Sequence, residues 1–525
     1  MTEQRFFFVD KPAMELDDLI SSEAASLRAV RSVAELLDRA HGGSSRPCDG
    51  LAGLAAAEYL EKLIEAISRD VSLRANGYSP ARWLWYLRRL PDRFFEGNYS
   101  TTIGYDRALA ESLTWFSQRF EGSATAKFFG FRVDASAAKH LLAFVLSVRL
   151  LSHLHAIYRR VGKGAELFFE NGVPFAEQND SVAEAINIYD QRHEKRQYDQ
   201  AALGVVGPLA DVTAPRHPVE SQIFIFTPCK AIQMAVDAPL PDGKMVPATI
   251  TARHIFQAVP VLSFLAPYSA DPGIGLPYLK TIEPLIVLQM MFPLLSVDLP
   301  ALLSSSLQFG YGVVSPNRLE RVIASWLPPL REYLRDIAPA VDWSRDFQDL
   351  YGRLKAIGPK VWPLKHGGCI REASGTVILD FTAASAALLG LSEIDRSDSN
   401  VANTRAETFE LQVQGIIDGS RWRPDAELAA LRGRSLRRGG VHITDIDGIG
   451  ICEGDLLLVS SKSLVYDAEY DRGRHRVVAN AGATVADAVA HWLRFLKDLD
   501  AAPRGDNFDR LYPGFPTGFS LHDRS

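Results

Sequence analysis

A chain of 525 residues, 47% of them hydrophobic and 23% charged, has the make-up of an ordinary globular protein and enough length for several domains with their own cores. A net charge of −6 excludes a polycation, so any contact with nucleic acid has to come from a local basic patch. The four cysteines (Cys48, Cys229, Cys369, Cys452) stand far apart without paired ligand spacing, which argues against a structural zinc site or a disulfide framework and suits a reducing cytoplasm.

The opening "MTEQRFFFVDKPAMELDD" has no basic region followed by an apolar run and a small-residue cleavage site, and is read as carrying no export signal. Residues 1–210 read mainly as helix. Stretches 14–41 and 53–71 carry apolar residues at three- and four-residue spacing, and 78–97 begins with Ser79 and Pro80, a cap and first-turn pair. Residues 136–161 are apolar on most sides, as in a central helix.

Residues 211–391 form a mixed helix and strand region, either separate from the first or continuous with it. The proline-rich run 207–221 predicts a loop, and "QIFIFTP" and "KMVPATITARHIF" alternate as strands do. Helices are expected from about 280 to 358, then a hairpin over 369–385 turning at Ser374–Gly375. The most membrane-like stretch, 284–303, is interrupted by Asp298 and two prolines, so a buried helix pair is expected and not a span. Residues 392–407 are polar and read as a linker. Beyond them, 408–500 runs helix, Arg-rich connection, strand, turn, strand, helix, and 501–525 is an irregular tail.

The stretch "DIDGIGICEGDLLLVSSKS" (445–463) carries the chemistry. Residues 441–451 alternate as one strand. "CEGD" supplies a turn in which Gly454 can take a positive φ, and "LLLVSSKSLV" returns as an apolar strand of the kind buried on both faces. With the turn centred on Glu453–Gly454, Asp447 faces Ser460 and Asp445 faces Lys462, and residues two apart share a face. Two carboxylates so placed can hold Mg²⁺ or Mn²⁺, and a lysine beside them can orient a water or stabilise developing charge. A plain cross-strand ion pair remains the structural alternative.

Helix, "TDIDGIG", turn and "LLLVSSKS" together resemble the core of the PD-(D/E)xK, or restriction-endonuclease-like, nuclease superfamily over residues 403–500. The resemblance implies an α/β nuclease module behind a large, mainly helical N-terminal region with a small β insertion, an α+β multidomain protein. It implies that Asp447 is the first metal-binding aspartate and Lys462 the motif lysine, with Glu410 in "TFELQVQ" the helix glutamate and Asp445 a second carboxylate. The position two before the lysine is Ser460, where the family has an acid; a hydroxyl is a poor ligand for Mg²⁺ beside a carboxylate. Two outcomes stay open: a metal-dependent nuclease of prokaryotic DNA defence or repair, or an interaction protein built on an inactivated nuclease scaffold.

Arg421, Arg423, Arg432, Arg434, Arg437 and Arg438 crowd the connection before the hairpin; they suit phosphate oxygens, DNA in preference to RNA, or else form a solvated surface run. The helical region is left as the face for a protein partner, and no membrane role is expected. "RVGKGAE" (160–166) lacks the strand and the Ser/Thr of a phosphate loop. The tryptophans of "WLWYLRRL" (83–90), at helical spacing, are expected in a core.

Overall fold

The computed structural model describes residues 6–7, 10–42, 50–95, 105–115, 117–119, 130–170, 172–177, 222–239, 245–260, 282–292, 295, 300–337, 339, 342–357, 368–373, 375–391, 399–433, 435–438, 441–453, 455–461, 468–471 and 473–500. The protein is α+β, with long helices and small sheets. It divides into two compact units: Met1–Glu393 with Asp467–Val478, and Ile394–Tyr466 with Ala479–Ser525.

The first unit begins with a two-residue strand β1 (Phe6–Phe7) and helices α1 (Lys11–Ile20), α2 (Glu23–Ala40), α3 (Gly53–Ala75) and α4 (Pro80–Leu87). The helix expected over 14–41 is two helices, interrupted at Ser21 and Ser22, whose side chains favour local backbone bonds; Ser22 Oγ donates to the Leu19 carbonyl. Ser79 caps α4 as the sequence predicts, accepting from Arg82 N at 3.2 Å, with Pro80 in the first turn. That helix ends at Leu87, well short of residue 97.

Helices α5 (Tyr105–Thr114) and α6 (Ala135–Gly162) follow, and α6 is the axis of the unit. Asp134 caps it by accepting from Ala137 N at 2.9 Å. Residues from Ala137 to Val161 are buried on several sides of α6, against α1, α2, α3 and α5. Length and composition alone would let this helix cross a membrane, and it is instead packed within the unit, with its Phe144 ring against Trp83. The tryptophans expected in a core are there: Trp83 and Trp85 are buried.

Next come a short hairpin, β2 (Glu166–Glu170) with β3 (Val173–Glu177), and a long antiparallel one, β4 (Gln222–Pro239) with β5 (Met245–Pro260). β1 runs parallel to β5, giving the order β1-β5-β4. Both segments expected as strands are found, longer than the pattern indicated. A fully buried helix α7 (Ile282–Phe292) occupies most of the described part of the membrane-like stretch. After it come α8 (Pro300–Phe309), β6 (Tyr311–Val314), α9 (Pro316–Ile337), α10 (Phe347–Ala356), β7 (Ile370–Ala373), β8 (Thr376–Asp380) and α11 (Phe381–Leu391). The hairpin β7–β8 turns where expected, but its second strand stops at Asp380, whose carboxylate accepts from Ala383 N at 2.9 Å and starts α11. β6 joins as a third strand, order β6-β8-β7, in a stretch the sequence had placed among helices.

A network of buried charges ties these pieces together. The Arg88 guanidinium, just past α4, grips the Glu111 carboxylate with both Nε and Nη2, the latter at 2.7 Å. It reaches Asp380 at 3.4 Å, donates to the Phe309 carbonyl at 2.7 Å, and donates to His254 Nε2 on β5 at 3.1 Å. Arg371 on β7 approaches the same Asp380 at 3.8 Å and donates to the Pro80 carbonyl at 3.2 Å. Arg88, Glu111, Asp380, Arg371 and His254 are all buried. Burial opposes the charge on Arg88, and the Glu111 and Asp380 carboxylates outweigh it and raise its pKa. Burial first, then the guanidiniums of Arg88, Arg107 and Arg253, hold His254 well below its usual value, so the ring is neutral. Because Nε2 accepts from Arg88, its proton sits on Nδ1. Gly310, at φ +69°, lies against this network; a Cβ there would collide with Thr382, Arg88 and His254.

The second unit contains α12 (Ser399–Asp418), a single turn α13 (Ala426–Ala429), and the strand pairs β9 (Ser435–Arg438) with β10 (Val441–Asp445) and β11 (Gly448–Cys452) with β12 (Asp455–Val459). A turn α14 (Ala468–Asp471) belongs to the first unit, as does the start of the last helix α15 (His475–Asp500), which passes into the second unit from Ala479 onward. Leu428, Leu431, Ile446, Ile449 and Phe495 form the small core of the second unit, with Leu456, Leu458 and Trp492 packed on it. Residues 399–407, read as linker, are the start of α12. The loop expected over 207–221, the tail 501–525 and Cys48 lie outside the described residues.

Candidate functional site

The register expected for the acidic hairpin is the one found. β11 and β12 pair from Gly448 opposite Val459 to Cys452 opposite Asp455, across a two-residue turn at Glu453 and residue 454. Asp447 lies one residue beyond the ladder, and its N donates to the Val459 carbonyl at 3.2 Å, one residue short of the Ser460 expected to face it. Glu453 has a positive φ of +53°, and Gly454, where one was expected, lies outside the described residues.

Two features differ from the expectation. Residues 441–451 are not one strand: β10 pairs with β9, β11 pairs with β12, and the break falls at Ile446 and Asp447. Ile446 is buried in the core and its carbonyl accepts from Gly433 N at 2.8 Å, which takes that peptide out of the β11–β12 ladder. Asp445, at the end of β10, lies opposite Ser435 and is exposed; two-residue alternation does not carry across the break to Asp447. Further, β12 is half-buried and not covered on both faces, because only Leu456 and Leu458 find the small core of the unit.

Asp447 is half-buried and held. Its Oδ2 accepts from the backbone N–H of Ser461 at 2.6 Å and from Ser461 Oγ at 3.4 Å, while Oδ1 takes no hydrogen bond among the described residues. The sequence pointed to Ser460 as the facing residue, and the neighbour Ser461 makes the contact. Ser460 is half-buried, and Lys462 lies outside the described residues, as does Arg434.

Helix α12 is fastened to the other edge of β11. Gln414, buried, accepts at Oε1 from Ile449 N at 2.9 Å and donates from Nε2 to the Ile449 carbonyl at 3.1 Å, so its amide pairs with the strand as a further strand would. Nε2 also donates to Asp418 at 2.8 Å, and Asp418 accepts from Arg432 at 2.5 Å. Desolvation works against the charge on Asp418, and the bonds from Gln414 and Arg432 prevail and lower its pKa. Gly448 and Gly450 let the helix come this close: a Cβ on Gly448 would press on Ile417, and one on Gly450 on Ile417 and the Trp422 carbonyl. Glu410, one turn before Gln414 on α12, is half-buried.

The arginines separate into distinct roles. Arg432 is engaged by Asp418 and is a structural partner. Arg421 and Arg423 are exposed on a loop anchored to β11, where Ile451 N donates to the Trp422 carbonyl at 3.0 Å. Arg437 and Arg438 contribute their backbone to β9. No family model, no curated protein and no solved structure matches this chain.

Can these residues take a divalent cation? Among the described residues no three His, Cys, Asp or Glu side chains converge. Mg²⁺ is commonly held by one or two carboxylates, with waters and substrate phosphates filling the shell. A carboxylate held through one oxygen by a backbone N–H, with no hydrogen bond to its second oxygen among the described residues, fits that arrangement. Gln414, Asp418 and Ser461 are the residues that sequence reasoning missed. A glutamine on the buried face of a helix beside a Gly-x-Gly strand was the available signal for the first.

Proposed function

We propose that this protein processes nucleic acid through its second unit, by metal-dependent phosphodiester hydrolysis of the restriction-endonuclease-like kind. The observation that supports this is the hairpin β11–β12, with Asp447 held at its open end by the Ser461 N–H and α12 bonded to its edge. In this reading Asp447 presents Oδ1 to the cation, and Asp445 or Glu410 supplies a second carboxylate. Lys462 orients the attacking water and stabilises charge on the phosphate. Bound there, Mg²⁺ or Mn²⁺ supplies a lowered pKa for the water and neutralises the phosphate under attack. Arg421 and Arg423, exposed beside β11, bind phosphate oxygens and position the backbone, DNA in preference to RNA.

The test is cleavage of supercoiled plasmid, linear duplex, single-stranded DNA and RNA with Mg²⁺ and then Mn²⁺, comparing wild type with Asp447→Ala and Lys462→Ala. Circular dichroism checks that all three fold. Cutting by wild type alone is the expected result; equal cutting by all three would remove the hairpin from consideration. One observation favours a second reading: Ser460 brings an uncharged hydroxyl where the family has an acid. If wild type binds duplex in a salt-sensitive manner but never cuts it, the unit is a nucleic-acid-binding scaffold.

A further inference from the structure

Between α12 and α13 the chain reads Gly419, Ser420, Arg421, Trp422, Arg423, Pro424. Ser420 Oγ donates to the Ile417 carbonyl at 2.8 Å and accepts from Trp422 N at 3.1 Å. Arg423 N donates to the Ser420 carbonyl at 3.3 Å, and Ile451 N on β11 donates to the Trp422 carbonyl at 3.0 Å. Trp422 also lies close against Gly450, where a Cβ would collide with its carbonyl and press on its own Cβ. The backbone at Trp422 is therefore pinned twice, to the end of the helix and to the strand.

The three large side chains take no part in that framework. Arg421 and Arg423 are exposed, and among the described residues neither guanidinium makes a hydrogen bond or an ion pair. The flanking acids are engaged elsewhere: Asp418 by Gln414 and Arg432, Asp425 as the cap of α13 through Leu428 N at 2.9 Å. The Trp422 indole is half-buried, is not part of the core built on Leu428 and Phe495, and meets no other ring or cation among the described residues. One half-exposed tryptophan is ordinary on a protein surface. One fixed between two uncommitted guanidinium groups has the parts of a single-strand site, a flat apolar face for a base and cations for the phosphates beside it.

We infer that Trp422 stacks on an unpaired base, so that this loop selects single-stranded or frayed nucleic acid over intact duplex while Arg421 and Arg423 hold the phosphates. Inside a duplex the faces of each base are covered by its neighbours, and only the backbone remains for the loop to bind. The inference rests on the nucleic-acid reading above and names the substrate class for it.

The experiment is fluorescence anisotropy on the full chain with three labelled ligands: oligothymidylate, an abasic strand of the same length, and a blunt duplex. EDTA is present throughout, so that binding is read apart from cutting, and circular dichroism with thermal melts checks each variant. Trp422→Ala is expected to weaken oligothymidylate binding roughly tenfold, the scale of one base stacked on an aromatic ring, with little change on the duplex and the abasic strand. Trp422→Phe is expected to recover most of that loss, because a phenyl ring still stacks. Arg421→Gln and Arg423→Gln are expected to weaken all three ligands and to lower the slope against log salt by about one each. Arg494→Gln, on the exposed side of α15, is expected to leave all three at the wild-type level.

The abasic strand separates stacking from a structural role, because a distorted loop would lose phosphates and bases alike. Equal losses on oligothymidylate and the abasic strand in Trp422→Ala overturn the inference. So does wild-type affinity of that variant for oligothymidylate. In both cases duplex binding that depends on Arg421 and Arg423 keeps the nucleic-acid reading standing. If single strands are bound as described but never cut with Mg²⁺ or Mn²⁺, the inference stands and the hydrolytic reading falls. If wild type binds none of the three ligands, both fall together.

Discussion

The two units treat charge in opposite ways. In the first, Arg88, Glu111, Asp380 and Arg371 are stripped of water and return their charges to one another; Asp380 is 0% exposed and Arg88 3%. Every one of them bonds to a segment distant in sequence, so the network acts as a lock between α4, α5, β5, β7 and β8. In the second unit Asp447 is half-buried and held through one oxygen, with no hydrogen bond to the other among the described residues. A charge that is fully paired and desolvated is committed to the fold, and little is left for it to do chemically. A charge that is oriented but only partly satisfied still has bonding capacity to offer a ligand. The contrast separates fully paired acids from partly satisfied ones where their one-letter codes cannot.

The comparison can be broken most readily at Arg88. Arg88→Met leaves Glu111 and Asp380 buried without their main partner and is expected to cost about 3–5 kcal/mol in urea denaturation of the first unit; a loss below about 1 kcal/mol would show that the network is not a lock. Gly310→Ala places a methyl group at a positive φ against Arg88, His254 and Thr382, and is expected to destabilise by about 1–3 kcal/mol.

A third measurement uses pH. The folded His254 has a depressed pKa, so below its ordinary value of 6.5 the unfolded chain binds a proton that the folded chain refuses. The stabilisation is therefore fully present above that pH and is lost as pH falls through and below it, by up to about 1.4 kcal/mol per unit. Stability curves from neutral to acid pH are expected to be flatter by that amount in His254→Asn. The smallest effect is at the hairpin. Asn at 447 can still accept from Ser461, so Asp447→Asn is expected to cost only about 0.5–1 kcal/mol while removing Mn²⁺ binding. A collapse of the second unit in that variant would place Asp447 with the structural acids and erase the contrast.

Much of the local structure was legible. Ser79 and Pro80 announce a helix start because a hydroxyl satisfies an otherwise orphaned N–H and proline lacks one. The alternation in 222–228 and 244–256 announces strands, and the hairpin arithmetic from Glu453–Gly454 fixes a register that the ladder β11–β12 follows. What pattern reading missed has a common cause. β6, the break at Ile446 and the seat of Asp447 on Ser461 each depend on a partner supplied by a distant segment: β8 for β6, Gly433 for Ile446, the far end of β12 for Asp447. Ser460 and Ser461 are adjacent and chemically alike, and only the local turn of the backbone decides which one reaches the carboxylate.

From its sequence alone this chain has helices and strands in nearly the observed places, tryptophans in a core, and a hairpin with acids at one end, since each follows from periodicity, capping and turn chemistry acting over a few residues. Tertiary structure decided which charges are buried and fully paired and which are only partly satisfied among the described residues. It paired Arg88 with acids 23 and 292 positions away, and it bonded Gln414 to a strand 35 positions away. Desolvation and hydrogen-bond satisfaction are properties of what surrounds a group, and those surroundings are assembled only when the chain has folded.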